Sequence, residues 1–400
     1  MSATSRRTAL FCGLAAGVGG VAAAGCTGSD PAPVATTTAS RAAGATAYRP
    51  FRGVHQPGIA DDPQPYAAFV AFTLLGGSDR ASLRRLLTIW TDDIERLMSG
   101  RGTIVDQEPE LACVTAQLTV TVGVGPRVPG LAGAPAPAWL APLPAFAQID
   151  RLDPRWGQAD LLLQICAASP TTLAHAQRRL ITGAGDLVRL GWVQRGFREP
   201  FAGGASGLPM RNLFGQVDGT VQPDVHGSDV GLLWVGDNGP AWLRGGAGLV
   251  LRRIAMDLDT WDRVDRGSRE NATGRRLDTG APVTGRALTD APDLDAVDDL
   301  GFHRIDDAAH LRRAHGTAPH ERFLRRPYSY DDPPEEGALS NSGLLFAAYC
   351  ADPARQFVPV QRRLAELDLL NLWTRPIGSA VFAMLPGASD GEILGQALVA

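Results

Sequence analysis

The sequence predicts an α+β chain built on a duplicated module, and three observations carry that prediction. Apolar residues fill 44% of the 400 positions and charged residues 20%, a balance that buries a core and fits one large domain or two of ordinary size. Short apolar runs bounded by Gly, Pro or Asp alternate with stretches whose apolar residues recur at helical spacing. The chain also echoes itself: Leu161–Pro170 (LLLQICAASP) parallels Leu344–Pro353 (LLFAAYCADP), and each leads to a Gln-Arg-Arg-Leu, at Gln177–Leu180 and Gln361–Leu364. A strand that ends in Ser-Pro or Asp-Pro and enters a helix is one supersecondary unit, with the Ser or Asp as cap and the proline in the first turn. Its recurrence implies duplication.

Strands are expected at Ala68–Leu75, Leu118–Val124, Leu161–Ala168, Gly191–Phe197, Gly231–Val235, Leu249–Leu258, Leu344–Ala351 and Ala380–Leu385. Amphipathic helices are expected at Ala81–Met98, Thr171–Ile181 and Gln356–Leu367, where arginines and acids separate apolar residues three and four apart. Asp262–Pro334 is polar and dense in Arg and Asp, so it reads as loops and short helices laid over the scaffold.

The first 25 residues read as an export signal. Arg6-Arg7 precedes an apolar run from Ala9 to Ala24 that is too short and glycine-rich for a stable membrane span. The twin arginine points to the route that carries proteins already folded, often with a cofactor inserted, and to a place outside the cytoplasm: extracellular, periplasmic or anchored to the cell envelope. Ala23-Ala24-Gly25-Cys26 resembles a lipoprotein processing site, the alternative being cleavage nearby and release as a soluble protein. Residues 26–46, rich in Ala, Thr, Pro and Ser, would then form a flexible tether.

Every one of the 38 basic residues is arginine, which removes Schiff-base lysines and the lysine of a phosphate-binding loop. The net charge of −4 argues against nucleic acid as a partner, the more so once the leader takes Arg6 and Arg7 with it. Cys113, Cys166 and Cys350 sit singly in apolar runs and read as buried thiols rather than a disulfide framework.

The chemistry concentrates in three places: Gly215-Gln216-Val217-Asp218-Gly219-Thr220, His310 and Arg325. Together they supply an acid, an imidazole ligand and a fixed cation. The glycines on either side of Asp218 suggest a turn with positive φ or a close backbone approach to a flat ligand. His55, His175, His226 and His320 have no second chemical group nearby in sequence, and His303 is the nearest competitor of His310.

From Phe51 to Gly387 the chain resembles the dye-decolourising peroxidase family, in its secreted branch that includes the bacterial deferrochelatase/peroxidases. The resemblance runs through Gly53-Val54-His55-Gln56-Pro57-Gly58-Ile59, Leu118-Thr119-Val120-Thr121-Val122-Gly123, Asp160–Cys166, Arg211–Thr220, Met256–Trp261, Thr279-Gly280-Ala281-Pro282, His310-Leu311-Arg312-Arg313-Ala314, Phe323-Leu324-Arg325-Arg326, Gly343-Leu344-Leu345-Phe346 and Arg375-Pro376-Ile377-Gly378. It implies two ferredoxin-like halves, residues 47–205 and 206–400, each an antiparallel sheet with helices on one side. A haem b would be held mainly by the second half and without covalent attachment, in keeping with the lack of a Cys-x-x-Cys-His motif. His310 would bind the iron, while Asp218 moves a proton on peroxide and Arg325 steadies the separating oxygens.

By carry-over, Gly219, Thr220, Val221, His315, Gly316 and Thr317 would lie against the haem. Phe346 is either a wall of the distal pocket or a core phenylalanine. Two departures stand out: His315-Gly316-Thr317 replaces the family's Asn-Pro-Arg and brings a second imidazole near His310, and Pro327 replaces a glycine after the paired arginines. The activity implied is peroxide-driven oxidation of organic reductants such as dyes and phenols. Alternatives are a deferrochelatase that frees iron from haem, and a haem-binding lipoprotein without turnover. Trp261, Trp373, Tyr328 and Tyr330 are candidates for passing oxidising equivalents to large substrates. A lipid anchor at Cys26, a homo-oligomer and iron-uptake partners stay open.

Overall fold

The computed structural model describes residues 48–199, 209–334 and 336–400. The export signal, the tether and the 205/206 boundary between the expected halves lie outside them.

Eleven strands are formed by these residues: β1 Tyr66–Leu74, β2 Thr119–Val124, β3 Leu161–Ala167, β4 Val188–Phe197, β5 Met210–Arg211, β6 Val217–Asp218, β7 Ala247–Met256, β8 Leu324–Arg325, β9 Tyr328–Asp332, β10 Asn341–Cys350 and β11 Thr374–Met384. The helices are α1 Arg80–Met98, α2 Arg127–Ala132, α3 Pro170–Ala184, α4 Val230–Leu233, α5 Leu258–Trp261, α6 Arg266–Thr273, α7 His310–Ala314 and α8 Pro353–Leu367.

Nine strands form one antiparallel sheet in the order β7-β11-β2-β3-β1-β4-β9-β10-β8, and an added β7–β10 pairing closes it on itself. Each half repeats the order of a ferredoxin-like module. In the first, β1 lies between β3 and β4, and β2 flanks β3. In the second, β7 lies between β10 and β11, and β8 and β9 flank β10. The seams between halves are thin: β4 meets β9 only at Phe197–Ser329, and β11 meets β2 at Ala383–Val124 and Met384–Gly123.

Strand alternation divides the core in two. Phe69, Leu162, Leu251, Tyr328, Tyr330, Leu345 and Phe382 point into the closed sheet and fill it. The opposite face of the first half carries Ala68, Val70, Val120, Leu163 and Ile165, covered by Leu83, Leu86, Leu87, Trp90 and Ile94 of α1 and Leu173 and Leu180 of α3. The internal echo is structural: Ser169 caps α3 through the Thr172 N–H, and Asp352 caps α8 through the Arg355 N–H, each followed by its proline.

Three expectations are corrected. Gly231–Val235 is not a strand: Val230–Leu233 forms the short helix α4, in which Leu233 alone is buried. The polar segment ends not in loops but in β8 and β9, whose Tyr328 and Tyr330 are buried inside the sheet. Cys113 is exposed, in the turn after Pro109–Leu111, whereas Cys166 and Cys350 are buried as read.

Candidate haem and peroxide site

The site builds on the outward face of the second half. Leu344 of β10, Met256 of β7, Trp261 of α5, and Phe214 form a separate apolar cluster there, with Phe346 packed against it. Arg325 stands opposite Ala348 in the β8–β10 register, so its side chain shares the face of Phe346, two residues along β10. Phe346 also meets Phe323 and Phe357 at 6.3 and 6.1 Å between ring centres, which packs it as a core phenylalanine.

Asp218 ends β6, whose pairing with β5 sets Met210 opposite Asp218. Gly215 and Gly219 both take positive φ (78° and 83°), as their places around the acid suggested. The hairpin is pinned from outside by the loop after α6. Gly280 sits so close to Val217 that a Cβ there would lie 2.8 Å from the valine Cβ, and Arg211 donates to the Leu277 carbonyl at 2.6 Å. Arg325 Nη1 then donates to Asp218 Oδ1 at 3.1 Å, and Nη2 to the Val221 carbonyl at 3.0 Å. The acid and the cation named from sequence therefore touch.

His310 opens α7 and faces a carboxylate that sequence reasoning did not select. Its Nδ1 lies 2.6 Å from Asp368 Oδ2, just beyond α8, and the other oxygen of Asp368 accepts the Leu370 N–H at 2.9 Å. Asp368 is buried; among the described residues no hydrogen bond occupies His310 Nε2. Burial alone would lower the pKa of His310, but the Asp368 carboxylate outweighs it and the net direction is upward. The charge of Asp218 acts in the same upward direction and that of Arg325 against it. No signal in sequence marked Asp368, since it lies beyond a helix end among leucines and its partner is distant along the chain.

Arg275 is a second cation of this locus. Nη1 donates to the Gly280 carbonyl at 2.7 Å, and no carboxylate pairs with it among the described residues. Burial first, then the neighbouring Arg325, pull its guanidinium down to about 10, while Asp218 acts the other way. Among the described residues, His315, Gly316 and Thr317 make no hydrogen bond to Asp218, His310 or Arg325. Their contacts run to Glu321 and Arg363, with Arg363 donating to the His315 carbonyl at 3.1 Å and Glu321 accepting the Thr317 N–H at 2.9 Å. His315 is exposed, and His303 is bound to Asp307 at 2.8 Å. Trp261 is buried with Trp373 edge-on at 5.0 Å.

These groups suit a haem. An imidazole fixed through Nδ1 by a carboxylate presents Nε2 to a metal, the apolar cluster offers a bed for a macrocycle, and guanidinium groups in excess over the single Asp218 suit its carboxylates.

Comparison with known proteins agrees. Residues 56–198 match the family description "Dyp-type peroxidase, N-terminal", and residues 209–389 match "Dyp-type peroxidase, C-terminal". The chain is 37% identical over 363 residues to a dye-decolorizing peroxidase of Thermobifida fusca (strain YX), covering 86% of this chain and 83% of that protein. It is 32% identical over 373 residues to a deferrochelatase of Shigella flexneri serotype 5b (strain 8401), with coverage of 88% and 87%. A crystal structure of a DyP-type peroxidase from Cellulomonas bogoriensis superposes with a TM-score of 0.86 at 53% identity, over 89% of this chain and 99% of that one. The chain belongs to the dye-decolourising peroxidase family of haem b-dependent oxidoreductases.

Proposed function

We propose that His310 would hold the haem iron through Nε2 and that Asp218 and Arg325 would act on the peroxide. The reading is carried by two contacts among the motif residues, His310 Nδ1 2.6 Å from Asp368 Oδ2 and Arg325 Nη1 3.1 Å from Asp218 Oδ1. Bound haem supplies the electrons that reduce peroxide and recovers them from organic reductants such as dyes and phenols. Asp218 takes the proton from the near oxygen of peroxide and returns it to the far one, which leaves as water. Arg325 holds the charge that gathers on the far oxygen as the O–O bond lengthens, and its two hydrogen bonds keep it aimed before that charge appears. Gly219, Thr220 and Val221 line the approach, with Phe346 behind Arg325.

The test is the absorption spectrum of haem-loaded protein before and after one equivalent of H2O2, for wild type, His310→Ala and Asp218→Asn. Asp218→Asn should slow the spectral response by about 10²- to 10⁴-fold; a response at the wild-type rate would remove Asp218 from the proposed role. The deferrochelatase relative supports a second reading, release of iron from haem with the porphyrin left whole. Metal-free porphyrin appearing at equal rates in wild type and Asp218→Asn would favour it.

We also infer export by the twin-arginine route and tethering through Cys26. The reading is supported by Arg6-Arg7, the apolar run and the cysteine site alone. Membrane fractionation of wild type and Cys26→Ser decides between anchoring and release, and equal partition of the two would end the anchor reading.

A further inference from the structure

We propose that Gln222 is a positioning residue for Arg325, its carboxamide standing in for the missing neighbour strand of β8. This rests on the reading of Arg325 as the cation that acts on peroxide.

β8 is two residues long and, among the described residues, pairs only with β10. Peptide groups of successive residues in a strand point to opposite edges. The Arg326 N–H is spent on β10, donating to the Ala347 carbonyl at 2.9 Å. The N–H and carbonyl of Arg325 therefore face the other edge, which no strand covers. Gln222 covers it: its Oε1 accepts the Arg325 N–H at 2.9 Å, and its Nε2 donates to the Arg325 carbonyl at 2.9 Å. One side chain thus completes both hydrogen bonds that an adjacent strand would make.

The clasp matters because of where it leads. Gln222 follows Val221, whose carbonyl accepts Arg325 Nη2 at 3.0 Å, and the same segment begins at Asp218, which accepts Nη1 at 3.1 Å. Backbone and guanidinium of Arg325 are tied to one short stretch, so the acid and the cation keep their spacing as a unit. A two-residue strand has little register of its own. With Gln222 removed, the guanidinium keeps its two bonds but the backbone that aims it gains freedom. Loss of aim at a peroxide-contacting group costs rate without removing the group, up to about a hundredfold for a shift near 1 Å.

The experiment uses full-length, haem-loaded wild type, Gln222→Ala and Gln222→Met, with Arg325→Leu as reference. Three quantities are read: amide exchange at Arg325 by mass spectrometry with residue resolution, affinity of the ferric haem for fluoride by absorption, and kcat/KM for H2O2 set against kcat/KM for the reductant. The expected result is faster exchange at Arg325, fluoride affinity weakened about tenfold, and kcat/KM for H2O2 lowered by about ten- to a hundredfold, with the reductant step unchanged. Gln222→Met keeps the volume and carries the test where Gln222→Ala fails to retain haem. Unchanged exchange at Arg325 overturns the clasp. Faster exchange with unchanged fluoride affinity and unchanged peroxide kinetics overturns the positioning role. Should Arg325→Leu itself react with peroxide like wild type, the assigned role of Arg325 has failed, and the exchange result still decides the clasp alone.

Discussion

The two halves of the closed sheet share one frame and put it to opposite uses. In the first half the chain leaves β1 and returns to β2 through α1, a long amphipathic helix that packs beside α3 and seals the outer face with Leu83, Leu86, Leu87, Trp90 and Ile94. In the second half α8 occupies the place of α3, but residues 257–323 between β7 and β8 hold only the short helices α5, α6 and α7. A continuous apolar stripe turns a sheet face into core. A polar excursion leaves that face to be lined by side chains with other work, here His310, Asp218, Arg275 and Phe346.

Each half also contains a histidine paired with a buried carboxylate, and the difference between the pairs separates structure from chemistry. His175 in α3 is buried and turns Nε2 to Asp106 at 3.0 Å, with Arg179 behind the same carboxylate at 3.5 Å. His310 turns Nδ1 to Asp368 and keeps Nε2 available, its side chain 36% exposed. The strongest way to break this contrast is to remove each imidazole. His310→Ala should abolish the peroxide response of the haem spectrum while the secondary structure stays that of wild type. His175→Ala should leave the spectrum and its response intact and destabilise the chain by about 1–3 kcal/mol, because Asp106 loses a buried partner. Circular dichroism melts and haem titrations on the two variants check this, and a haem defect in His175→Ala would show that the halves are not separable.

Asp368→Asn sharpens the contrast at lower amplitude. The asparagine can still accept the Leu370 N–H, so stability should change little, while haem affinity or activity falls by about ten- to a hundredfold as the imidazole loses its carboxylate. Asp106→Asn, its counterpart in the first half, should behave the other way, with stability lost and haem binding kept. Burial would raise the pKa of Asp106, but the Glu108 N–H and then the charges of His175 and Arg179 outweigh it, and the net direction is downward. That contribution is present above the unfolded aspartate value and is lost as pH falls through the lowered folded one. The stability gap between wild type and Asp106→Asn should accordingly close in acid.

What was legible in the sequence follows the same division. The α1 stripe, the strands β1, β3, β7 and β10 and the Ser169-Pro170 and Asp352-Pro353 caps are local patterns, and they fold as read. Asp218, Arg325 and His310 carry motif neighbours, and the structure brings Asp218 and Arg325 into contact. The residues that hold them were not legible. Asp368 is a helix-end aspartate, and Gln222 is a polar loop residue whose partner lies across the chain. Strands β8 and β9 escaped notice because arginines, a proline and aspartates interrupt them, although Tyr328 and Tyr330 are buried inside the sheet. Gly231–Val235 misled in the opposite sense, since a short apolar run does not distinguish a helical turn from a strand.

The smallest predicted effect concerns Asp93, a carboxylate caught in the sealed half. It lies on α1, 8% exposed, so close to α3 that a Cβ on Gly183 would fall 2.5 Å from its Oδ2. Burial, and then the neighbouring Asp92, push its pKa up to about 6, although Arg179 and Arg96 pull against them. With a folded pKa above the unfolded one, the neutral acid is the form that suits the fold. Its contribution is full below the unfolded value and disappears as pH rises through about 6. Asp93→Asn keeps the shape and removes the charge, so it should stabilise the protein by about 1–2 kcal/mol at neutral pH and above, and by little near pH 4. Melting temperatures of both proteins across that range test it, and a difference that fails to grow with pH would refute the assignment. The haem spectrum and its peroxide response should be the same in both, because α1 reaches none of the groups around His310 and Arg325.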